Sequence, residues 1–405
     1  MDIKKNMLYN TIGSLIYQGC LWITTVLVVV LANGYSDSGV LSFAMTIGNM
    51  FNAVGTYNMR TYQVSDIKGQ YSQRNYVAFR MVTIGIGFVV ISAYSFIVSP
   101  DSWTLISTLI YLLFKIDEAF CDVLYGVDQR NERMDYIGIS QFMRGIAIVL
   151  SFSAGLYFAG SLIIAMLAMF ACCLLVTLLY DIPHAMRLSS IKPEIKKAQV
   201  KKLLVECLPL VLEILFLGMI VSVARQYFAN ANGNEQLGIY AAIATPAVLI
   251  QAAARYLYAP ALVPLSEKWN ESPKESFLPF FKKTIRLMLL FFVICLPVLA
   301  IAGPPLLLLV YGTRLADYTY LFTNVLVSTA CMAALYYLTD TLVIMRDIKG
   351  SLVSTSAALA ASLALMIPLE GTFDMQGINY TVIAACIVGI IAASLFLSHN
   401  KKLRA

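Results

Sequence analysis

The groups best able to do chemistry in this chain are ionisable side chains embedded in long apolar runs: Lys115, Asp117, Glu118, Asp122, Arg144, Glu213, Arg225, Arg255 and Asp340. A charge at membrane depth is costly and is kept where it faces a protein interior or a wet cavity. Lys115, Glu118 and Asp122 are spaced i, i+3 and i+7, which at about 100° per residue puts them within about 60° of one another on a helix. Asp117 points elsewhere. At about 1.5 Å per residue, Lys115 lies roughly 16 Å from the inner end of its run, near the bilayer middle. Glu118 and Arg144 are equidistant from a turn centred near Asn131, so a hairpin folded there sets them side by side. Two readings of the stripe are compatible: an ion pair that locks two helices together, and a cavity lining in which Lys115 stays free for an anionic ligand.

Glu213 follows Pro209 by one turn. A proline bend beside a buried carboxylate suits a gate, although such kinks also serve packing alone. Arg255 either enters the cavity or snorkels to the headgroups. Arg225 and Asp340 fall near the ends of their runs, where an interfacial role is the simpler reading. Thr46, Asn49, Asn52 and Thr56 share one helical side that ends near Arg60. An uncharged hydrogen-bonding stripe suits sugar hydroxyls and amides, and equally suits helix packing. Lys115, Arg144 and Arg255, with Arg60 at the mouth, fit a phosphate-bearing substrate. The acids Glu118, Asp122 and Glu213 oppose a purely cationic funnel.

The elements that must carry these groups follow from composition. Of 405 residues, 59% are hydrophobic and only 13% are charged, with a mean hydropathy of +0.76. Soluble domains carry roughly 25% charged residues. At half that fraction a chain this long cannot cover its surface with polar groups, which excludes a water-soluble enzyme. Twelve apolar segments of about 20 residues can be laid down: 11–31, 40–58, 81–99, 103–125, 137–158, 161–182, 203–229, 238–263, 284–310, 320–345, 351–369 and 378–397. Helices are the expected form, because irregular backbone cannot face lipid. The alternating segments of a barrel are missing. The first segment is too long for a signal-peptide core and is followed at once by another, so it reads as a span.

Basic residues set the orientation. Of the 29 Lys and Arg, 24 fall at the N-terminus, in or at the edge of the connections after even-numbered spans, and in the C-terminal tail. The other side holds Arg314 alone. Both termini are therefore expected in the cytoplasm, and the net charge of +6 says nothing of nucleic acid. The eight cysteines lie inside apolar runs without CxxC or Cys/His spacing, and read as small apolar fillers with neither disulfide nor metal role.

An internal duplication is legible. Ala32-Asn33-Gly34 with Gly39 returns as Ala231-Asn232-Gly233 with Gly238, and Lys4-Lys5 returns as Lys201-Lys202. Six spans per half is an even number, so both halves run the same way. The expected fold is an all-α polytopic membrane protein of about twelve transmembrane helices in two six-helix lobes related by a parallel pseudo-two-fold repeat. The expected domains are an N-lobe over 1–182, a basic cytoplasmic linker over 183–202 and a C-lobe over 203–405. Two such lobes make a cleft, and rocking gives alternating access.

Several stretches carry a family likeness. Val54-Gly55-Thr56-Tyr57-Asn58-Met59-Arg60 with Ser65-Asp66 looks like the end of a second span. Leu124-Tyr125-Gly126, Glu132-Arg133-Met134-Asp135-Tyr136-Ile137 and Arg144-Gly145 look like a span four–five hairpin. Gly238-Ile239-Tyr240 resembles the start of an eighth span, and Ala259-Pro260-Ala261, Pro264-Leu265-Ser266, Phe277 and Lys282 resemble its exit. On these residues the chain resembles the bacterial polysaccharide transporters that flip lipid-linked oligosaccharides, such as O-antigen repeat units. They belong to the multidrug/oligosaccharidyl-lipid/polysaccharide exporter superfamily. The resemblance implies transfer of an undecaprenyl-diphosphate-linked glycan across the cytoplasmic membrane for cell-surface polysaccharide biosynthesis, without a cofactor. Arg60 and Arg144 match basic positions of the family pattern. Span one contains no Asp or Glu, unlike the drug-antiporter branch, and the two extra C-terminal spans of lipid II flippases are absent from this sequence. The implied partners are the lipid-linked saccharide, membrane lipids and a polysaccharide polymerase, with no nucleic acid, and the chain is expected to act as a monomer.

The runner-up is a cation-coupled exporter of small amphipathic molecules on the same fold. A membrane-embedded glycan polymerase or transferase would need a nucleotide-sugar domain or a sizeable outer loop, and only two histidines, His184 and His399, are present. A pure scaffold would not carry nine charges at membrane depth.

Overall fold

The structure is a computed structural model and describes residues 3–32, 34–66, 69–400 and 403. Asn33 of the repeated motif, and Lys68, Lys401, Lys402 and Arg404 of the basic count, lie outside the described residues. Of Lys4, Lys5, Ala259 and Pro260 only the backbone is described.

Twelve long helices are described: α1 (Ile3–Leu31), α2 (Ser36–Thr56), α3 (Gln73–Val98), α4 (Ser102–Arg130), α5 (Met134–Ala159), α6 (Leu162–Leu188), α7 (Lys197–Asn232), α8 (Asn234–Glu271), α9 (Leu278–Tyr311), α10 (Leu321–Ile344), α11 (Ile348–Phe373) and α12 (Met375–His399). Each apolar segment of the sequence falls on one of them, in order, and all of these helices but α10 are longer than the segment they carry. Arg80, placed by hydropathy in a connection, is inside α3, and Lys197, Lys201 and Lys202 are inside α7. A helix satisfies its own backbone wherever it runs, so it does not stop where the apolar side chains do.

By length and composition nine of these helices can cross a membrane. The other three are α2, α4 and α8. The first two are buried along most of their length, so polar side chains on them are covered by protein. The lipid-facing surface is carried elsewhere: Val89 and Ile97 on α3, Leu150 and Phe158 on α5, Leu179 on α6, Val293, Ile301 and Leu309 on α9 are exposed. A water-soluble surface does not present apolar area on this scale. The chain is a multi-pass membrane protein.

The helices form two compact units, Met1–Val211 and Leu212–Ala405. The boundary falls inside α7, two residues past Pro209, whereas the apolar pattern alone starts the second lobe at 203. The opening of α7 packs into the first unit: Leu203, Cys207 and Val211 share a core with Tyr57, Met59, Tyr71 and Tyr76. Leu188 ends α6, and the connection to Lys197 has no regular structure up to residue 196.

Within each unit the same helix pairs meet. In the first, α1 packs on α5, α2 on α4, α4 on α6 and α5 on α6. In the second, α8 packs on α10, α10 on α12 and α11 on α12. There α7 meets α11 through Ile220 and Ala358, and the Ser362 hydroxyl donates to the Ile220 carbonyl at 2.9 Å. Each pair in the second unit is the first unit's pair advanced by six helices. The duplication in the sequence is therefore a duplication of packing.

The contact of α1 with α5 depends on two glycines. A Cβ on Gly13 would run into the backbone of Gly138, and one on Gly138 into the backbone of Tyr9. Small residues let membrane helices approach this closely. Gly138→Leu is expected to separate the pair and cost about 3 kcal/mol, the upper part of the overpacking range, because backbone cannot yield. Gly19→Leu on the same α1 meets nothing within 4 Å and should be neutral. Membrane protein level and thermal unfolding of the two variants check this.

Candidate functional site

The site is built on α4. Its charged stretch faces three ways at once, and the carboxylates of Asp117, Glu118 and Asp122 each meet groups from other helices. Lys115 and Glu118 bond to each other at 2.6 Å, and the Tyr17 hydroxyl of α1 donates to the other Glu118 oxygen at 2.8 Å. The Lys115 ammonium also lies 5.8 and 5.6 Å from the ring centres of Tyr111 and Phe114. Lys115 is buried and committed. It is not the free cation that its place on the stripe suggests.

One residue away, Asp117 points to the far side of α4, toward α5 and α6. It takes Arg144 Nη2 on Oδ2 at 2.6 Å and the Thr177 hydroxyl on Oδ1 at 2.6 Å. Arg144 Nη1 donates to Thr177 Oγ1 at 2.9 Å and lies 4.0 Å from Asp181 Oδ2. Thr177 and Asp181 begin and end a π-turn in α6, an irregularity common at functional positions. The partner of Arg144 is thus Asp117, not the Glu118 that the hairpin register selects. Counting from the turn gives the height of a residue but not the rotation of its helix, and the third helix was outside that count.

Asp122 completes the row. Arg80, fully buried on α3, donates to Asp122 Oδ2 at 2.8 Å and to the Ala119 carbonyl at 3.0 Å. Arg60 reaches Oδ1 at 3.5 Å and grips Gln129 Oε1 with Nε and Nη2 at 3.1 and 3.0 Å. Its guanidinium lies 5.7 Å from the centre of the Tyr125 ring. A break in the chain aims Arg60. After α2, Tyr57 and Asn58 adopt left-handed φ values of 52° and 50°, and a short helix, Met59–Ser65, starts in a new direction. The Tyr57 hydroxyl fixes the break by donating to the Leu204 carbonyl at 2.9 Å.

These groups border a cavity of about 310 Å³, at the small end of ligand pockets. Arg60, Arg144, Glu118 and Asp122 reach it, and Tyr17, Gln18, Asn52, Tyr125 and Gln141 supply hydroxyls and amides. Two cations face two anions. The wider network holds four of each: Lys115, Arg144, Arg60 and Arg80 against Asp117, Glu118, Asp122 and Asp181. The cavity is polar and nearly neutral, and the basic funnel is absent from it. Arg60 is the cation least sealed, with 26% of its side chain exposed.

The other candidates separate. Thr46 is buried and donates to the Phe43 carbonyl. Asn49 is exposed and does not line the cavity, while Asn52 and Thr56, farther along the same side, do. Glu213 and Arg255 belong to the second unit, where Asp340 interacts electrostatically with both and accepts the Tyr258 hydroxyl at 3.1 Å. Glu213 is buried and Arg255 exposed. Arg80 lies one residue before the third apolar segment and Asp181 one residue inside the end of the sixth, so neither stands out in the sequence as a charge at membrane depth.

No protein-family profile matches this chain. Among curated proteins it is similar to the capsular polysaccharide biosynthesis protein CapF of Staphylococcus aureus, 23% identical over 242 residues, 59% of this chain. The match spans 60% of the length of that relative. Among solved structures, the inward-facing form of a multidrug resistance MATE family transporter of the MOP superfamily covers 99% of this chain and 100% of its own. It aligns with a TM-score of 0.73 at 12% identity. A MOP superfamily transporter from Pyrococcus furiosus, described by the reverse polarity of its binding pocket, aligns over 100% of this chain and 97% of its own, with a TM-score of 0.62 at 12% identity. The chain has the fold of these transporters.

Two outcomes check the site. Asp117→Asn removes the closer of the two buried acids that face Arg144 and is expected to cost about 3 kcal/mol, seen as loss of folded protein in the membrane. The exchange Asp117→Arg with Arg144→Asp should recover part of it, and pairing Glu118→Arg with Arg144→Asp should not. The second outcome concerns Asp66, in the connection beyond the short helix that carries Arg60. Burial opposes its charge, but the backbone N–H groups of Tyr71 and Gln70, the Tyr76 hydroxyl and Arg130 hold its carboxyl below the usual range. A depressed carboxyl stabilises above its unfolded pKa of about 3.9 and loses that contribution as pH falls through its folded value. Asp66→Asn should therefore cost about 2 kcal/mol at pH 7, and the gap to wild type should close as unfolding is measured at progressively more acid pH.

Proposed function

We propose that this protein is an exporter of the bacterial cytoplasmic membrane, with both termini in the cytoplasm. It moves a polyprenyl-diphosphate-linked oligosaccharide by alternating access. The observation that carries this reading is the character of the first unit's cavity. Its tyrosines and amides suit sugar hydroxyls, and Arg60 is a partly exposed guanidinium able to meet a phosphate oxygen. The similarity to a capsular polysaccharide biosynthesis protein supports the same substrate class.

The role of each charge changes from a simple phosphate clamp. Lys115, Arg144 and Arg80 hold helices in place through Glu118, Asp117 and Asp122, and Arg60 is the group that binds substrate. Asp122 and Gln129 orient it. The second reading, a cation-coupled exporter of small amphipathic molecules, is favoured by one observation, the fold shared with a multidrug resistance transporter.

Binding separates the two. Purified protein should bind a polyprenyl-diphosphate sugar saturably, and Arg60→Gln should weaken that binding about tenfold, the loss of one charge-assisted bond. Saturable binding of lipophilic organic cations, with no diphosphate-lipid binding, would turn the assignment to the second reading.

A further inference from the structure

Glu370 has no place in the cavity and none in the ion-pair scheme. It lies three residues from the end of α11 and is 5% exposed, and neither carboxylate oxygen has a hydrogen-bond partner. It is buried because α12 lies directly against it: a Cβ on Gly377 would collide with the Glu370 backbone. In the first unit every carboxylate of the site is met by a cation or a donor. Here the same solvent problem is left open.

The polar groups at the start of α12, the segment packed against Glu370, are spoken for. Tyr240 of α8, which interacts electrostatically with Glu370, donates its hydroxyl to Asn379 Oδ1 at 2.9 Å. The Asn379 and Asn324 amides both donate to Gln376 Oε1, at 3.2 and 2.9 Å, and Asn324 also reaches the Tyr380 hydroxyl at 3.4 Å. Arg225 of α7 lies over the Tyr240 ring at 5.5 Å and forms no ion pair among the described residues. Asp374, in the turn to α12, is exposed, and Asp340 is at the opposite end of α10. Amides and hydroxyls close on one another and leave the carboxyl out.

An ionised carboxylate cannot stay in such a place, because no partner returns its hydration energy. A metal cation would need several oxygen ligands, and no group of three or more His, Cys, Asp and Glu able to hold one is found among the described residues. A proton needs neither. We propose that Glu370 is a proton-binding site of the second unit: the carboxyl is neutral while α12 seals it, and gives its proton to water as carboxylate and hydronium when this end of α11 and α12 opens. A group that is neutral when sealed and charged when wet ties opening to proton release. Coupling of that event to a transport cycle rests on the function proposed above. The proton site does not.

Infrared spectroscopy of the purified full chain tests it without substrate. The wild type should show at neutral pH the carbonyl stretch of a protonated carboxyl that shifts in deuterated water and fades as the pH is raised. Glu370→Gln should lack that band, and Glu370→Asp should keep it at an altered frequency. If wild type and Glu370→Gln give the same carboxyl spectrum at every pH where the protein is folded, the site is overturned and the exporter reading stands. If Glu370→Gln does not fold, the band in Glu370→Asp decides: its absence at neutral pH overturns the proposal. Failure of diphosphate-lipid binding with the band present would remove the substrate assignment and leave the proton site.

Discussion

The cost of holding charge away from water organises the first unit. Asp117 and Arg144 sit on neighbouring helices with almost no exposure, and an ion pair so placed persists only if its remaining donors and acceptors are also met. Thr177 and Asp181 meet them from a third helix, and the π-turn in α6 lies between those two residues. The arrangement of α4, α5 and α6 is thereby tied to one guanidinium. Lys115 with Glu118 and Tyr17 ties α4 to α1, and Asp122 ties it to α3 and to the short helix that carries Arg60.

This accounts for the distribution of polarity among the helices. α2 and α4 are too polar to face lipid, so they are wrapped by others, while α3, α5, α6 and α9 present Val, Ile, Leu and Phe outward. The cavity forms where the polar faces meet and are not fully used. Its charge balance follows from the same rule, since every buried cation arrived with an acid. What the cavity leaves uncovered is the least enclosed cation, Arg60, and neutral hydroxyls and amides.

The second unit repeats the helix pairs of the first, yet not its electrostatics. Its polar residues divide between a group near Asp340 and Tyr258 and an amide network at the other end, around Gln376. The fold constrains which helices meet, and leaves the side chains at their seams free to differ.

Sequence alone determined the membrane environment, the twelve helices and their order, the duplication, and the level at which α4 and α5 carry their charges. Those properties depend on hydropathy, length and spacing, which are local. Tertiary structure alone decided the partners. Asp117 rather than Glu118 meets Arg144 because a rotation of α4 about its own axis is invisible to a count of residues. Lys115 is sealed by a neighbour one turn away, although the stripe left it free. Arg80 and Asp181 joined the site from the margins of their apolar segments, and Arg255 and Glu213 belong to the other unit. Each of these outcomes turns on the side from which a neighbouring helix approaches, a property shared between segments far apart in the chain and written in neither of them.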